Sequence, residues 1–213
     1  MSKAVTPVRK NPRRDLRAAL LSAAEELFAK RPYEDVTAEE IAKAAGVAKG
    51  LLYYHFVSKR GIYETVIQAL ADDLELITQP DSSLPPLERT AAVLDAFIVW
   101  AKTRQTFRSA IMGGTSSSGM VQAIVTTALD KQVDMMLAGM QAVADEQGAQ
   151  GSIVTPTLRL AIKGWTAFIG VVTVDWLDAP DLTAEELRDL MLRSLGGAIL
   201  AGTSTGQTLP LRS

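Results

Sequence analysis

The 213-residue sequence contains no cysteine and only one histidine, and these two scarcities exclude much catalytic chemistry. Without a thiolate there is no cysteine nucleophile, redox switch, zinc finger or iron–sulfur cluster. One histidine cannot build a histidine-rich metal site, and it leaves His55 as the sole candidate base of a catalytic triad. A chain of this length buries roughly 70% of its unfolded surface, so it folds without a disulfide or a metal. We therefore predict no metal and no other cofactor.

Long hydrophobic runs are scarce as well. The most apolar uncharged run lies between Lys163 and Asp175 and has eleven residues, which is about half of what a bilayer-spanning helix needs. The basic residues near the start are not followed by the apolar region of a secretory signal. Together with the missing cysteines, these features predict a cytoplasmic protein that does not enter a membrane.

The net charge of −2 is small, but it is distributed unevenly. Residues 1–60 carry 12 basic and 7 acidic side chains, whereas residues 61–213 carry 10 and 17. A basic N-terminal part favours contact with a polyanion such as nucleic acid. Uneven halves also arise by chance, so charge alone leaves both interpretations open.

Nearly every long segment repeats its apolar residues with helical period, and no stretch shows a convincing β-strand alternation. Thr37 with Glu40, and Thr183 with Glu186, have the spacing of a capping box, which marks the start of a helix. The fold class is therefore predicted to be all-α, with about nine helices. These helices are expected at 14–30, 38–45, 48–56, 59–77, 86–104, 105–112, 119–147, 156–177 and 183–201.

The segment 37–59 has the features of a helix-turn-helix. Ala42 is small, as a residue must be where a second helix crosses closely. Gly46 can adopt the positive φ of a tight turn. Leu52 and Phe56, four residues apart, form the inner face of the second helix and leave its outer face polar. Two short helices in this arrangement are typical of proteins that insert the second helix into the major groove.

The outer face of that second helix carries side chains suited to DNA. Ala48, Lys49 and Gly50 are small or slender enough for a major groove about 12 Å wide. Lys49 can donate to guanine O6 and N7 or to a phosphate. The hydroxyls of Tyr53 and Tyr54 can donate to phosphate oxygens.

Other residues of the segment have two interpretations each. His55 and Lys59 can donate to phosphates, and the free N–H groups after Thr37 offer a further anion contact. Alternatively, His55 is a packing histidine, Lys59 is a solvated helix cap, and the adjacent tyrosines belong to the core. The residue types leave these alternatives open.

This segment closely resembles the DNA-binding domain of the tetracycline-repressor (TetR/AcrR) family of bacterial regulators. The resemblance runs from about Arg14 to Ala71 and is most specific at G-V-A-K-G-L-L-Y-Y-H-F-V-S-K, preceded by A-A-E-E-L-F and D-V-T-A-E-E-I-A. It implies a surface that faces double-stranded DNA. The residues at its positions are Thr37, Ala38, Ala48, Lys49, Gly50, Leu51, Tyr53, Tyr54, His55 and Lys59.

Three positions depart from the family's pattern. Arg31 and Pro32 precede Tyr33 where a glycine is common, which indicates a different turn. Ala48 stands where Ser or Thr is frequent and cannot donate a hydrogen bond. Leu51 is apolar where a polar side chain often reads a base, so it contacts a thymine methyl or only packs. Base specificity is therefore the feature that the resemblance defines least.

The last two predicted helices resemble, in layout, those that pair between two subunits as a four-helix bundle in this family. The penultimate helix is apolar on two sides and must be buried on both, although a monomer could also bury it. We predict a homodimer through these helices and, from its symmetry, a palindromic operator. The two stripes are Leu158, Ile162, Trp165, Ile169, Val172 and Trp176, and Leu160, Ala167, Val171 and Val174; Gly164, Gly170, Gly196 and Gly197 permit close helix approach.

Large, adaptable apolar side chains concentrate in the central helices, where the family encloses a small-molecule cavity. Such side chains are also typical of plain core. Asp95, Asp130 and Asp134 have the spacing of solvated faces, so the predicted effector is mainly apolar. In the family, the effector shifts the helix that corresponds to 59–77. The candidate ligand contacts are Phe97, Trp100, Phe107, Met112, Met136, Met140, Trp165 and Phe168.

These features predict a ligand-responsive, sequence-specific DNA-binding regulator, foremost a repressor that a small apolar molecule releases from its operator. The alternative is a metabolite-binding helical module that acts as an activator or uses its ligand as a co-repressor. An enzyme is not predicted, because the serines at 116–118 have no candidate base except His55, which belongs to the recognition helix.

The predicted organisation is a flexible basic arm at 1–13, a DNA-binding domain at 14–73 with its helix-turn-helix at 37–56, a ligand-binding and dimerisation domain at 74–203, and a flexible tail at 204–213.

Overall fold

Helices account for all regular structure in the described part of the chain. The computed structural model describes residues 12–104 and 119–203, with side chains from residue 16 onward. A short 3₁₀ turn, Tyr33–Asp35, joins the first two α-helices. The all-α prediction is confirmed, while the helix predicted at 105–112 and the serines at 116–118 lie outside the described residues. The eight helices in these ranges are α1 (Pro12–Lys30), α2 (Ala38–Ala44), α3 (Lys49–Phe56), α4 (Lys59–Ile77), α5 (Pro86–Thr103), α6 (Gly119–Glu146), α7 (Pro156–Asp178) and α8 (Ala184–Thr203).

The chain divides into two compact units, Met1–Ala69 and Leu70–Ser213. The boundary expected after residue 73 lies about one helical turn further along α4. In the first unit, α1 packs against α2 and α3, and α2 packs against α3. Phe28, Ile41 and Leu52, one from each of these helices, are fully buried. Their apolar faces form the core that holds the outer side of α3 toward solvent.

In the second unit, α7 is the central helix and packs against α6 and α8, while α5 packs mainly against α8. Two tryptophans of α7 place their ring N–H groups on partners in the chain that follows. Trp165 Nε1 donates to Met191 O and to Ser194 Oγ, both at 3.0 Å. Trp176 Nε1 donates to Leu182 O at 2.6 Å. Both rings thus bury their apolar area with their polar atom hydrogen-bonded.

By length and composition alone, α7 is also the one described helix that could cross a membrane. It is longer than the uncharged run between Lys163 and Asp175 because it also includes the charged residues Arg159, Lys163, Asp175 and Asp178. Core helices of soluble proteins pass the same test. In the structure, Leu158 and Ile162 of α7 are buried against the neighbouring helices, which accounts for its apolar character.

The charged faces predicted to be merely solvated carry ion pairs between helices. Lys163 on α7 lies 2.6 Å from Asp130 on α6, and one turn away Arg159 lies 2.6 Å from Asp134. Asp95 on α5 likewise pairs with an arginine of α8. The side chains of the two pairs between α6 and α7 are about half exposed, so each of these pairs contributes on the order of 0–1 kcal/mol.

Candidate nucleic-acid interface

Helix α2 begins with the predicted capping box, which is confirmed. Thr37 Oγ1 accepts a hydrogen bond from Glu40 N at 3.2 Å, and Glu40 Oε2 accepts one from Thr37 N at 2.8 Å. Arg31 Nη2 lies 3.0 Å from the other oxygen of the same carboxylate. The hydrogen bonds from the Thr37 backbone and hydroxyl, and then that from Arg31, hold the pKa of the Glu40 carboxyl below its ordinary value. The side chain of Thr37, although exposed, is therefore bonded to its own helix.

The turn between α2 and α3 depends on Gly46, whose φ is +69°. Val47 N donates to Ala42 O at 2.9 Å, and Gly46 N donates to Lys43 O at 3.1 Å. This pair of bonds is the Schellman arrangement, which ends a helix with a left-handed residue and favours glycine there. The turn re-aims the chain so that α3 lies across α2, as the predicted helix-turn-helix requires.

Helix α3 separates its residues into two faces. Leu52 and Phe56 are buried, whereas Tyr53 and Tyr54 are exposed, Tyr54 by 70%. The tyrosines therefore do not belong to the core, so the packing alternative for them is wrong. Tyr53 follows Lys49 by four residues, so these two side chains are neighbours on the exposed part of the helix, and Tyr54 lies further around it.

The beginning of α3 is small and open. Ala48 is its N-cap, is exposed, and makes no side-chain capping bond. A Cβ placed on Gly50 would meet nothing within 4 Å. Lys49 is half exposed and lies 3.3 Å from Glu39 on α2. This end of α3 can therefore approach a groove closely, with a cation at its edge.

Three other residues predicted to contact DNA are less exposed than Lys49, Tyr53 and Tyr54. Ala38 is buried, so only its backbone at the start of α2 is available to a partner. Leu51 and His55 are half-buried. The centre of the His55 ring lies 5.1 Å from that of the Tyr54 ring in an edge-on arrangement, so His55 packs against the exposed tyrosine. A phosphate contact of His55 stays a prediction.

Lys59 is bonded to the protein itself. Its Nζ donates to Tyr33 O at 2.8 Å and to Val36 O at 2.9 Å, and it lies 4.0 Å from the centre of the Tyr33 ring. Of the three ammonium protons, these bonds use two. Lys59 thus ties the start of α4 to the segment before α2, a role that the sequence did not indicate. A phosphate contact through the third proton stays a prediction.

The connection from α3 to α4 was also missed by sequence reasoning. Val57 has a φ of +64° and a ψ of −37°, and Ser58 N donates to Phe56 O at 2.6 Å, which together form a rare γ-turn. Gly61 N donates to Ser58 Oγ at 3.0 Å, and a Cβ on Gly61 would clash with the backbone oxygen of Phe56. Gly61 therefore lets α4 begin directly beneath the end of α3. A serine three residues before Gly61 is a sequence signal for a helix N-cap, but a valine gives no signal for a positive φ.

The candidate ligand contacts belong to the second unit. Phe97, Trp100 and Trp165 are buried, whereas Met136, Met140 and Phe168 are half-buried. The rings of Phe97 and Trp100 stack with centres 6.2 Å apart. Phe107 and Met112 lie outside the described residues. Within the described ranges, no group of three or more His, Asp or Glu side chains is placed to hold a metal ion.

Comparison with known proteins places this geometry in context. The sequence pattern described as "Bacterial regulatory proteins, tetR family" matches residues 20–66, which lie within the first unit. The transcriptional activator FasR of Mycolicibacterium smegmatis is 46% identical over 63 residues, covering 30% of this chain and 29% of that protein. The transcriptional repressor KstR2 of Rhodococcus jostii is 41% identical over 58 residues, covering 27% and 28%. The match thus spans less than a third of either relative's length.

Solved structures extend the similarity beyond the matched sequence. The crystal structure of a TetR-family transcriptional regulator from Streptomyces coelicolor superposes with a TM-score of 0.77, covering 89% of this chain and 82% of that chain at 21% identity. At this identity the likeness concerns the fold alone. Because it covers 89% of this chain, it extends well beyond residues 20–66, which the family pattern matches.

Proposed function

The chain belongs to the TetR family of DNA-binding transcriptional regulators, a non-enzymatic family, and from this premise we propose that it is a dimeric, ligand-responsive repressor. It acts in the cytoplasm of a bacterial cell, binds a palindromic operator through α3 and leaves that operator when a small apolar molecule binds its second unit. The parts of the proposal are a DNA-binding domain at 14–73 and a ligand-binding and dimerisation domain at 74–203.

The exposed outer face of α3 is the observation that carries the proposal. Lys49, Tyr53 and Tyr54 project from a helix whose other face is fixed in the core by Leu52 and Phe56. A rigid helix with a cation and hydroxyl donors on its free side suits a major groove, because donors there can reach guanine edges and the flanking phosphates.

This surface is tested by measuring operator affinity by fluorescence anisotropy across a series of salt concentrations. Lys49→Ala and Tyr53→Phe should fold normally and weaken operator binding, because each lost contact is worth about 1–3 kcal/mol. Lys43→Ala removes the same charge from the exposed end of α2 and serves as the matched control, with affinity near that of the unaltered protein. Unchanged affinity in both Lys49→Ala and Tyr53→Phe would refute the site.

An exposed apolar stripe on the last two helices supports the dimer. Leu160 on α7 is 71% exposed and Leu200 on α8 is 66% exposed, although both helices are otherwise packed. On α7 the exposed positions follow one another at spacings of four, three and four, which is one side of a helix. A monomer would leave this stripe in water, whereas a second copy would cover it. The stripe consists of Leu160, Gly164, Ala167 and Val171 on α7, and of Gly196, Gly197 and Leu200 on α8.

Sedimentation velocity tests the dimer directly. Leu160→Glu should convert the dimer to a monomer, because it places a charge in an apolar interface. Leu87→Glu makes the same change at a leucine of α5 that is 70% exposed and lies off the stripe, and it should leave the dimer intact. A monomeric unaltered protein, or a Leu160→Glu variant that remains dimeric, would contradict this interface.

The effector site is proposed among α5, α6 and α7. The half-buried methionines Met136 and Met140 and the half-buried Phe168 are adaptable apolar groups of the kind that line ligand sites. The nearby aspartates Asp130 and Asp134 are engaged with cations of α7, so they favour an apolar effector over a cationic one.

Helix α4 is the proposed route from this site to α3. At its far end, Lys131 on α6 lies 2.7 Å from Glu75, and Gln132 donates to Thr78 Oγ1 at 2.9 Å. A shift of α6 would therefore be transmitted to α4, which begins at Lys59 directly after the γ-turn that follows α3. Because interfaces between packed helices are bistable, a small displacement is enough to change the position of such a helix.

A panel of apolar small molecules tests the effector and the sign of its action. At least one compound should weaken operator binding, and by linkage the operator should weaken that compound's binding by the same factor. Met140→Trp fills the proposed space and should abolish the response while operator binding persists. A compound that strengthens operator binding would contradict release and support the alternative of a co-repressor or activator, which the activator FasR represents among the relatives.

A further inference from the structure

Lys49 has a carboxylate partner in the helix-turn-helix itself. Its Nζ lies 3.3 Å from Glu39 Oε2, and the two side chains are 50% and 76% exposed. Glu39 belongs to the first turn of α2, so the pair joins the two helices at the surface proposed to meet DNA. Lys49, which we assign to the major groove, is therefore accompanied there by the negative charge of Glu39.

The structural role of Glu39 is small, because a carboxylate in the first turn of a helix interacts favourably with the helix dipole by only about 0.3–1 kcal/mol. The neighbouring Glu40 completes the capping box and pairs with Arg31. Glu39 Oε2 instead accepts a hydrogen bond from Lys49 Nζ. An exposed pair of this kind adds little to stability. A carboxylate at a DNA-binding surface is also repelled by phosphates, so its presence there is informative about binding.

A G·C base pair has the complementary arrangement of groups in the major groove. Guanine offers the acceptors O6 and N7, and cytosine offers the N4 amino donor. Guanine O6 and cytosine N4 are the two atoms of one Watson–Crick hydrogen bond, so they are separated by roughly 2.9 Å. The 3.3 Å between Lys49 Nζ and Glu39 Oε2 matches this separation. A cation can then face O6 while the carboxylate faces N4.

We infer that Glu39 and Lys49 act together as a specificity-determining pair that reads one G·C base pair in each half-site, with Lys49 donating to guanine and Glu39 accepting from cytosine N4. At a C·G or A·T pair, or at a bare phosphate, the carboxylate meets an acceptor and is repelled. A T·A pair offers thymine O4 and adenine N6 in the same order as G·C, but it lacks the second acceptor, guanine N7, to which Lys49 also donates. Glu39 thereby lowers affinity for other sequences. This inference rests on the proposed DNA-binding function and assigns that surface a preferred base pair.

The test compares variants on a duplex selected from a random pool, on duplexes with each base pair of that sequence exchanged, and on random duplex. The unaltered protein should lose about tenfold or more in affinity when one particular G·C pair is exchanged for C·G or A·T, and less when it is exchanged for T·A. Glu39→Gln should lose most of that discrimination and bind random duplex about 2- to 5-fold more tightly. Glu26→Gln, the same charge change at an exposed residue of α1, should retain the discrimination.

A charge exchange sharpens the experiment. The double variant Glu39→Lys with Lys49→Glu keeps the ion pair but reverses its polarity, so it should prefer C·G over G·C at the same position. The inference is overturned if Glu39→Gln retains the base preference at every position, or if it gains equally on all duplexes. A protein that prefers no sequence at all would instead refute the proposed function. A protein that selects an operator without needing Glu39 would refute the pair alone.

Discussion

Replacing Val57 by glycine should stabilise the protein, although glycine usually destabilises. Val57 has a φ of +64° and is 82% exposed, so its isopropyl group contributes little burial. The γ-turn conformation, with positive φ and negative ψ, is sparsely populated and costs an ordinary residue roughly 1–3 kcal/mol. Glycine removes that strain but loses roughly 0.5–1 kcal/mol through the greater freedom of the unfolded chain. We therefore expect Val57→Gly to raise the free energy of unfolding by about 1 kcal/mol, within a range of roughly 0–2.5 kcal/mol.

Urea denaturation at fixed protein concentration measures this effect as a higher midpoint at an unchanged slope. Val57→Ala retains a Cβ and should gain much less. Ala44→Gly, at an exposed helical position of α2, is the matched control and should lose about 1 kcal/mol. A Val57→Gly variant less stable than the unaltered protein, or a Val57→Ala variant equally stabilised, would refute the strain at this turn.

Three further outcomes are expected from urea denaturation. Gly61→Ala should destabilise the protein by about 1–3 kcal/mol, because its Cβ would clash with the backbone oxygen of Phe56; an unchanged midpoint would contradict this close approach. Since the pKa of Glu40 is lowered by folding, its contribution is present above the ordinary glutamate pKa of about 4.3 and is lost as pH falls through the folded value. The stability difference between the unaltered protein and Glu40→Gln should therefore shrink from neutral to acidic pH, and a constant difference would disprove the linkage. Gly202→Ala should lower the free energy of unfolding, because its Cβ would lie 2.7 Å from the backbone of α7. The control Gly139→Ala meets open space and should raise that free energy by up to about 1 kcal/mol. Equal effects of the two substitutions would argue against tight packing of α7 on α8.

Local signals in the sequence were sufficient for the helix-turn-helix. The spacing of Thr37 and Glu40 located the start of α2, and Gly46 located its end, because both signals act within one helical turn. The inward positions of α3 followed from the four-residue spacing of Leu52 and Phe56. These features depend on neighbours in the chain, which a single sequence displays.

Contacts between distant residues were not predictable in the same way. Lys59 bonds to carbonyls 23 and 26 residues earlier, and no pattern of residue types distinguishes that role from a solvated cap. The same holds for the aspartates of α6, whose spacing indicated solvated faces and not their partners on α7. The positive φ of Val57 is imposed by the close approach of α3 and α4, against the preference of the residue itself.

Selection of bound DNA from a random pool by the full chain is the most direct test of sequence-specific recognition by a dimer. We expect enrichment of one inverted repeat whose half-sites are centred about 10–10.5 base pairs apart, or a multiple of that spacing, because a two-fold dimer presents two copies of α3. Enrichment of no sequence, or of a single motif without a symmetric partner, would contradict binding by a symmetric pair of recognition helices.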